Sequence, residues 1–220
     1  MTTTMFMIMS ADTMDRLQRQ IAFLMEIDRL KHIYRQTYLL DKSRHDSDVE
    51  HSWHFAVMAM VLSEYAKGTL DEGIIDVCRV MKMALIHDIV EIDTGDVFIY
   101  DRKDGGDHYA AEQAAAKRIF GMLPADQAKE YTDLWEEFEA RQTPEAKFAA
   151  ALDRLDPLLH NCYTEGKSWR EHGVTADRVL EINSRIGLAA PELWDRVRAL
   201  VLDCVEKGYL EPGSYSPVKK

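Results

Sequence analysis

The chain has 220 residues, 46% hydrophobic and 30% charged, and its 27 Lys plus Arg against 38 Asp plus Glu leave a formal charge of −11. That balance belongs to a folded globular chain, long enough for one domain with a substantial core, and not to a disordered one. The longest unbroken apolar run, residues 55–62, is far too short to span a bilayer, and the acidic surplus argues against a nucleic-acid polymer or an anionic membrane as partner.

The opening MTTTMFMIMS has neither a basic n-region nor an apolar h-region, so no secretory leader is expected and the expected compartment is the cytoplasm. Cys78, Cys162 and Cys204 stand far apart without a CxxC pair. They read as reduced filler, not as disulfides or a thiolate zinc site.

Leu17, Ile21, Leu24, Ile27, Leu30 and Ile33 recur at three- or four-residue spacing and predict an amphipathic helix over 14–34. Residues 16–45 also break the acidic trend, with seven basic and three acidic side chains. This is either a solvated helix face or a place for a small anion. The polar stretch 36–48 reads as a loop, with His45-Asp46 solvated in it. Ser47 or Asp48 caps a second helix carrying His51, Phe55, Met58, Leu62 and Tyr65 and ending at Lys67-Gly68.

Asp71 opens a third helix that is apolar nearly all round, through Ile74, Ile75, Val77, Cys78, Val80, Met81, Ala84 and Leu85. It reads as the central, most buried helix. A Gly- and Asp-rich loop follows from about Gly95. Further helices are expected over 108–120, 124–141, 144–165, 175–189 and 191–206, with Pro124, Pro144 and Pro191 in first turns. No segment alternates as a strand would, so no sheet is expected. The expected fold class is all-α, a single bundle of about 7–9 helices over 1–220, with the helices of 175–206 packed on the rest.

Polar residues in apolar settings mark the candidate site, because burying them unpartnered costs several kcal/mol. The dipeptide His87-Asp88 follows the most apolar helix, with Glu91 one turn on. His51 precedes an apolar stripe. Asp153 interrupts Phe148, Ala149, Ala150, Ala151, Leu152 and Leu155, so it needs a cation or strong donors. Asp156 is a competitor for that role or an acceptor behind it. His51, His87, Asp88 and Asp153 together offer two imidazoles and two carboxylates. That set suits a divalent ion such as Mn, Co, Ni, Fe or Mg better than a structural zinc. Satisfied core histidines and buried ion pairs are the plainer reading of the same residues.

Four stretches, DRLKHIYRQ (28–36), DVEHSWH (48–54), HDIVEIDTGDV (87–97) and PEAKFAAALDRLDPLL (144–159), resemble the HD-domain metal-dependent phosphohydrolases. The likeness is greatest to the HD-domain 5′-deoxynucleotidases and covers about 20–165. The resemblance implies that His51, His87, Asp88 and Asp153 hold the divalent metal. It implies that Arg35 orients a substrate phosphate, that Glu91 assists proton transfer and that Asp88 shares in it. Asp96, with Val97, Phe98 and Ile99, would contact the deoxynucleoside, and His51, Asp88 and Asp153 would border the substrate. Where that branch carries Trp beside the arginine, this chain has Gln36. His54 is expected to pack or hydrogen-bond beside the site, and His32, His108, His160 and His172 have no context that assigns them. Trp53, Trp135, Trp169 and Trp194 read as core or interface anchors.

The implied activity is hydrolysis of a (deoxy)nucleoside 5′-monophosphate by a homodimer. Another HD-type phosphatase or phosphodiesterase and a non-catalytic metal protein are the alternatives. A guanosine-tetraphosphate hydrolase would show HDxxED, whose last Asp is Ile92 here, and an HD-type di-iron oxygenase would add two histidines where only His108 stands.

Overall fold

The computed structural model describes residues 11–66, 75–101 and 106–215. The chain begins with α1 (Ala11–Glu26) and a 3-10 segment (Ile27–His32), then β1 (Tyr34–Tyr38) and β2 (His45–Ser47). These lead into α2 (Asp48–Leu62), α3 (Val77–Ile86), a 3-10 turn (His87–Val90) and α4 (Glu91–Thr94). The rest is helical: α5 (Gly106–Phe120), α6 (Ala125–Ala140), α7 (Pro144–Tyr163), α8 (Lys167–Glu171), α9 (Ala176–Asn183), α10 (Ile186–Ala189) and α11 (Pro191–Glu206). The all-α expectation holds. Apart from the single turns α4 and α10, nine α-helices lie among the described residues. None of the described helices is long and apolar enough to cross a membrane.

Several local signals act as the sequence suggests. Ser47 closes a capping box with Glu50 at the start of α2. Thr143 caps α7 through the Ala146 N–H with Pro144 behind it. Pro124 instead sits at the N-cap of α6. The expected helix ends at Lys67-Gly68 and Asp71 lie outside the described residues.

Four expectations are corrected. The first helix stops at Glu26, and Leu17, Ile21 and Leu24 are 44%, 49% and 54% exposed, so that stripe faces away from the core. The stretch 36–48 is not all loop: β1 and β2 form a two-stranded antiparallel ribbon pairing Tyr34 with Ser47 and Tyr38 with His45. Its strands are too short and polar to alternate visibly. The segment 175–189 breaks into α9 and α10 around Ser184 and Arg185.

Finally, α3 turns Cys78 and Leu85 outward, and the most buried helix is α7. Ala149, Ala150 and Ala151 are all buried there, and α7 packs against α2, α3, α6 and α10. One contiguous apolar cluster runs from Phe23 to Leu210 and takes in Trp135 and Trp169. Trp194 packs on its edge, whereas Trp53 is 64% exposed.

Candidate metal centre and substrate cavity

Three helical segments and the ribbon deliver the centre. His51 stands in the first turn of α2. His87 and Asp88 lie where α3 tightens into its 3-10 turn, and Asp153 lies mid-way along α7. The tightened turn sends two consecutive side chains inward together, and both are buried. On α7, Pro157 has no N–H to bond the Asp153 carbonyl four residues earlier, so the helix lacks that hydrogen bond beside Asp153. The Asp153 side chain keeps 25% exposure, because it lines a cavity instead of the core that its apolar neighbours suggested.

Four inward side chains converge. His51 Nε2 is 3.2 Å from Asp153 Oδ1 and 3.9 Å from Asp88 Oδ2. His87 Nε2 is 3.0 Å from Asp88 Oδ1 and 3.6 Å from Asp153 Oδ1. Donors each about 2.1 Å from one ion stand about 3 Å from their neighbours, so these separations fit a shared divalent cation. The outer nitrogens supply an independent test. His51 Nδ1 meets Asp156 Oδ2 at 2.7 Å and His87 Nδ1 meets the Ala84 carbonyl oxygen at 2.9 Å. With those nitrogens donating outward, each Nε2 is left facing the centre, where a cation would take its lone pair in place of a proton. The buried His87 Nε2 has no hydrogen-bond partner. Phe55 and Phe138 pack edge-on against the His87 ring at 5.3 and 4.9 Å and fix its plane.

The electrostatics carry the same message. Burial opposes charge on His51, yet hydrogen bonds to Asp153 and Asp156 raise its pKa to about 9. Burial likewise opposes charge on His87, and Asp88 and Asp153 raise it to about 10. Against its own burial, Asp88 is held down to about 2 by His87 and Arg35. The carboxylates therefore demand positive charge from this spot.

Arg35 projects from β1, 2.9 Å from Asp88 and 3.5 Å from Asp48. Its guanidinium stays charged in spite of burial, because Asp88, Asp96, Asp153 and Glu91 surround it. Glu91, at the start of α4, is 4% exposed and leaves Oε2 without a partner. Burial, then Asp88, Asp48 and Asp96, push its pKa well up. Gly95 ends α4 at φ +72°, a left-handed conformation that glycine adopts without strain. The turn brings Asp96, Val97, Phe98 and Ile99 to the cavity wall, and Gln36 lines it too. All eleven candidate residues thus border one centre and its cavity.

Other residues went unread in the sequence. Asp48, weighed only as a cap, is fully buried, and burial together with Asp88 raises its carboxyl to about 7. Thr37, Arg154, Asn161 and Asn183 also line the cavity. Asn161 and Asn183 are buried; Asn161, on α7, shows the same anomaly that marked Asp153 and could have been found by it. Asp46, expected in solvent, is 2% exposed. His160, left without context, is buried beside it. His54 lies beside Asp156, as expected.

Comparison with known proteins gives the family. The HD domain family model matches residues 27–194, and the chain belongs to that family. A crystal structure titled a predicted metal-dependent phosphohydrolase, from Magnetospirillum magnetotacticum MS-1, is 52% identical with a TM-score of 0.83, covering 90% of this chain and all of that one. The human 5′-deoxynucleotidase HDDC2 is 32% identical over 140 residues, covering 63% of this chain and 65% of that protein. The Schizosaccharomyces pombe 5′-deoxynucleotidase hdd1 is 26% identical over 143 residues, covering 63% and 68%. The chain spans 64–66% of the length of the human, mouse and bovine relatives. An HD-domain phosphohydrolase from Listeria innocua shares the fold at 17% identity and a TM-score of 0.56.

Proposed function

We propose that the chain is a metal-dependent phosphohydrolase that converts deoxynucleoside 5′-monophosphates to nucleoside and phosphate. The observation that carries this reading is the convergence of His51, His87, Asp88 and Asp153 beside a buried arginine and the buried Glu91 in one cavity. The names of the human and fission-yeast relatives support the substrate class.

A divalent ion (Mn, Co, Ni, Fe or Mg) held by those four residues would supply Lewis-acid polarisation of the phosphoryl group and a lowered pKa for water. Arg35 presents a planar guanidinium to the phosphate and offsets the charge that builds on its oxygens. Water attacks phosphorus, the bond to the 5′-oxygen breaks, and Glu91 gives its proton to that leaving oxygen. The proton lost from the water then restores Glu91. This role needs a carboxyl held neutral near physiological pH, which the burial of Glu91 among Asp88, Asp48 and Asp96 supports. Asp96, Val97, Phe98 and Ile99 would receive the deoxynucleoside. Gln36, beside Arg35 on β1, would lie near the sugar.

The whole chain would act as one domain in a homodimer, supported by apolar side chains that remain exposed on α1 (Leu17, Ile21, Leu24) and on α2 (Trp53, Val57, Met60, Val61). Light scattering should give twice the chain mass, and a monomer at micromolar concentration would contradict the dimer. Its free cysteines favour a reducing compartment, the cytoplasm.

The test of the activity is phosphate release by metal-stripped protein reloaded with Mn or Co, across paired ribo- and deoxyribonucleoside 5′-monophosphates. Release from the deoxy series supports the reading. Silence across the panel with metal bound would remove nucleotides as substrates.

A further inference from the structure

We propose that the chain binds a second divalent cation, of the zinc class, directly behind the first, on His54 Nδ1, Asp156 Oδ1 and His160 Nε2. The sequence builds this cluster by repeating the first one helical turn along. His54 follows His51 by three residues on α2, Asp156 follows Asp153 by three on α7, and His160 follows Asp156 by four. Each step returns to nearly the same helix face.

The three donor atoms lie within 4.8 Å of one another. Asp156 Oδ1 is 2.8 Å from His54 Nδ1 and 3.7 Å from His160 Nε2. In spite of that close approach, the buried Asp156 Oδ1 has no hydrogen-bond partner. At 2.8 Å the His54 nitrogen and the Asp156 oxygen have the spacing that one ion imposes on neighbouring donors. The His54 and His160 rings stack at 5.6 Å and 28°, so the two imidazoles stand side by side next to Asp156.

A buried carboxylate also stands on the far side of His160, at ion-pair and not hydrogen-bond distance. Asp46 Oδ2 lies 3.9 Å from His160 Nδ1, the nitrogen facing away from Asp156. A proton held on that side leaves the Nε2 lone pair for the ion. Asp46 and His160 are 2% and 7% exposed, and Asp46 Oδ1 and His160 Nδ1 have no hydrogen-bond partner. Buried polar atoms are rarely left so without a ligand to organise them.

Two imidazoles and one carboxylate form the donor set of open zinc sites, which leave a fourth position to solvent. His54, with 41% of its side chain exposed, gives the entry path. The two centres share one residue. Asp156 holds His51 through Oδ2 and offers Oδ1 to the second ion.

The experiment is zinc counting by mass spectrometry on full-length protein, equilibrated with excess Zn²⁺ and desalted. Wild type should hold two ions per chain, and His54→Ala and His160→Gln one each. Asp88→Ala should lose the front ion and keep the rear one. Asp46→Asn should weaken the rear ion about 10- to 100-fold. Thermal melts confirm folding; should His160→Gln fail to fold, the half-exposed His54→Ala decides alone. Two ions retained in His54→Ala overturn the second site. A wild-type count of one or none overturns it too, and a count of one that falls to zero in Asp88→Ala leaves the first centre standing.

Discussion

The dipeptide His-Asp occurs twice in this chain, and the two copies have opposite geometries. His45-Asp46 lies on β2, where successive side chains point to opposite faces. His45 stays half-buried and stacks on Tyr38 at 4.1 Å, while Asp46 goes inward. His87-Asp88 lies where α3 tightens into a 3-10 turn, and both side chains are buried in one polar centre. A strand splits the pair and a tightened helix end joins it. The motif acquires its chemistry from the backbone that carries it.

Breaking the joined pair should have the largest effect. Asp88→Ala removes a proposed ligand and the carboxylate that holds Arg35, so it should abolish metal binding at the front centre and lower turnover by more than about 10³-fold. Metal analysis and phosphate release on one sample check both halves. Arg35→Lys keeps the charge but loses the planar fork, and turnover should fall about 10- to 100-fold; steady-state kinetics on a deoxynucleoside monophosphate read it.

The third test concerns stability of the metal-stripped protein. His51 and His87 have folded pKa values raised to about 9 and 10, above the unfolded value of about 6.5. Their contribution is therefore fully present below pH 6.5 and is lost as pH rises through 9 to 10. Melts in chelator should show Tm falling across that window, and a flat profile would contradict the charge state assigned to the centre. The smallest effect belongs to the split pair. His45→Ala loses one ring contact, about 0.5–1.5 kcal/mol of stability, and turnover should stay within about twofold.

This contrast also explains what the sequence could show. Polar residues inside apolar helical periodicity, namely His51, His87, Asp88 and Asp153, were legible because an unpaired buried carboxylate or imidazole is energetically untenable. Asp48 was not, because a residue fit to cap a helix explains itself without a site. Asp46 and His160 were hidden because their meeting depends on a ribbon too short to show period-two alternation and on the approach of β2 to α7. The helices were legible from their spacing. The uncovered faces of α1 and α2 were not, since periodicity reports an apolar face and says nothing of what covers it.

The most direct test of the central claim separates metal holding from proton delivery. Glu91→Gln keeps the shape of the cavity and removes the titratable proton. Bound Mn or Co and the rate of phosphate release should be measured on the same preparation, beside wild type. The account predicts full metal occupancy with turnover lowered about 10²- to 10⁴-fold. Loss of metal together with activity, or turnover equal to wild type, would contradict it.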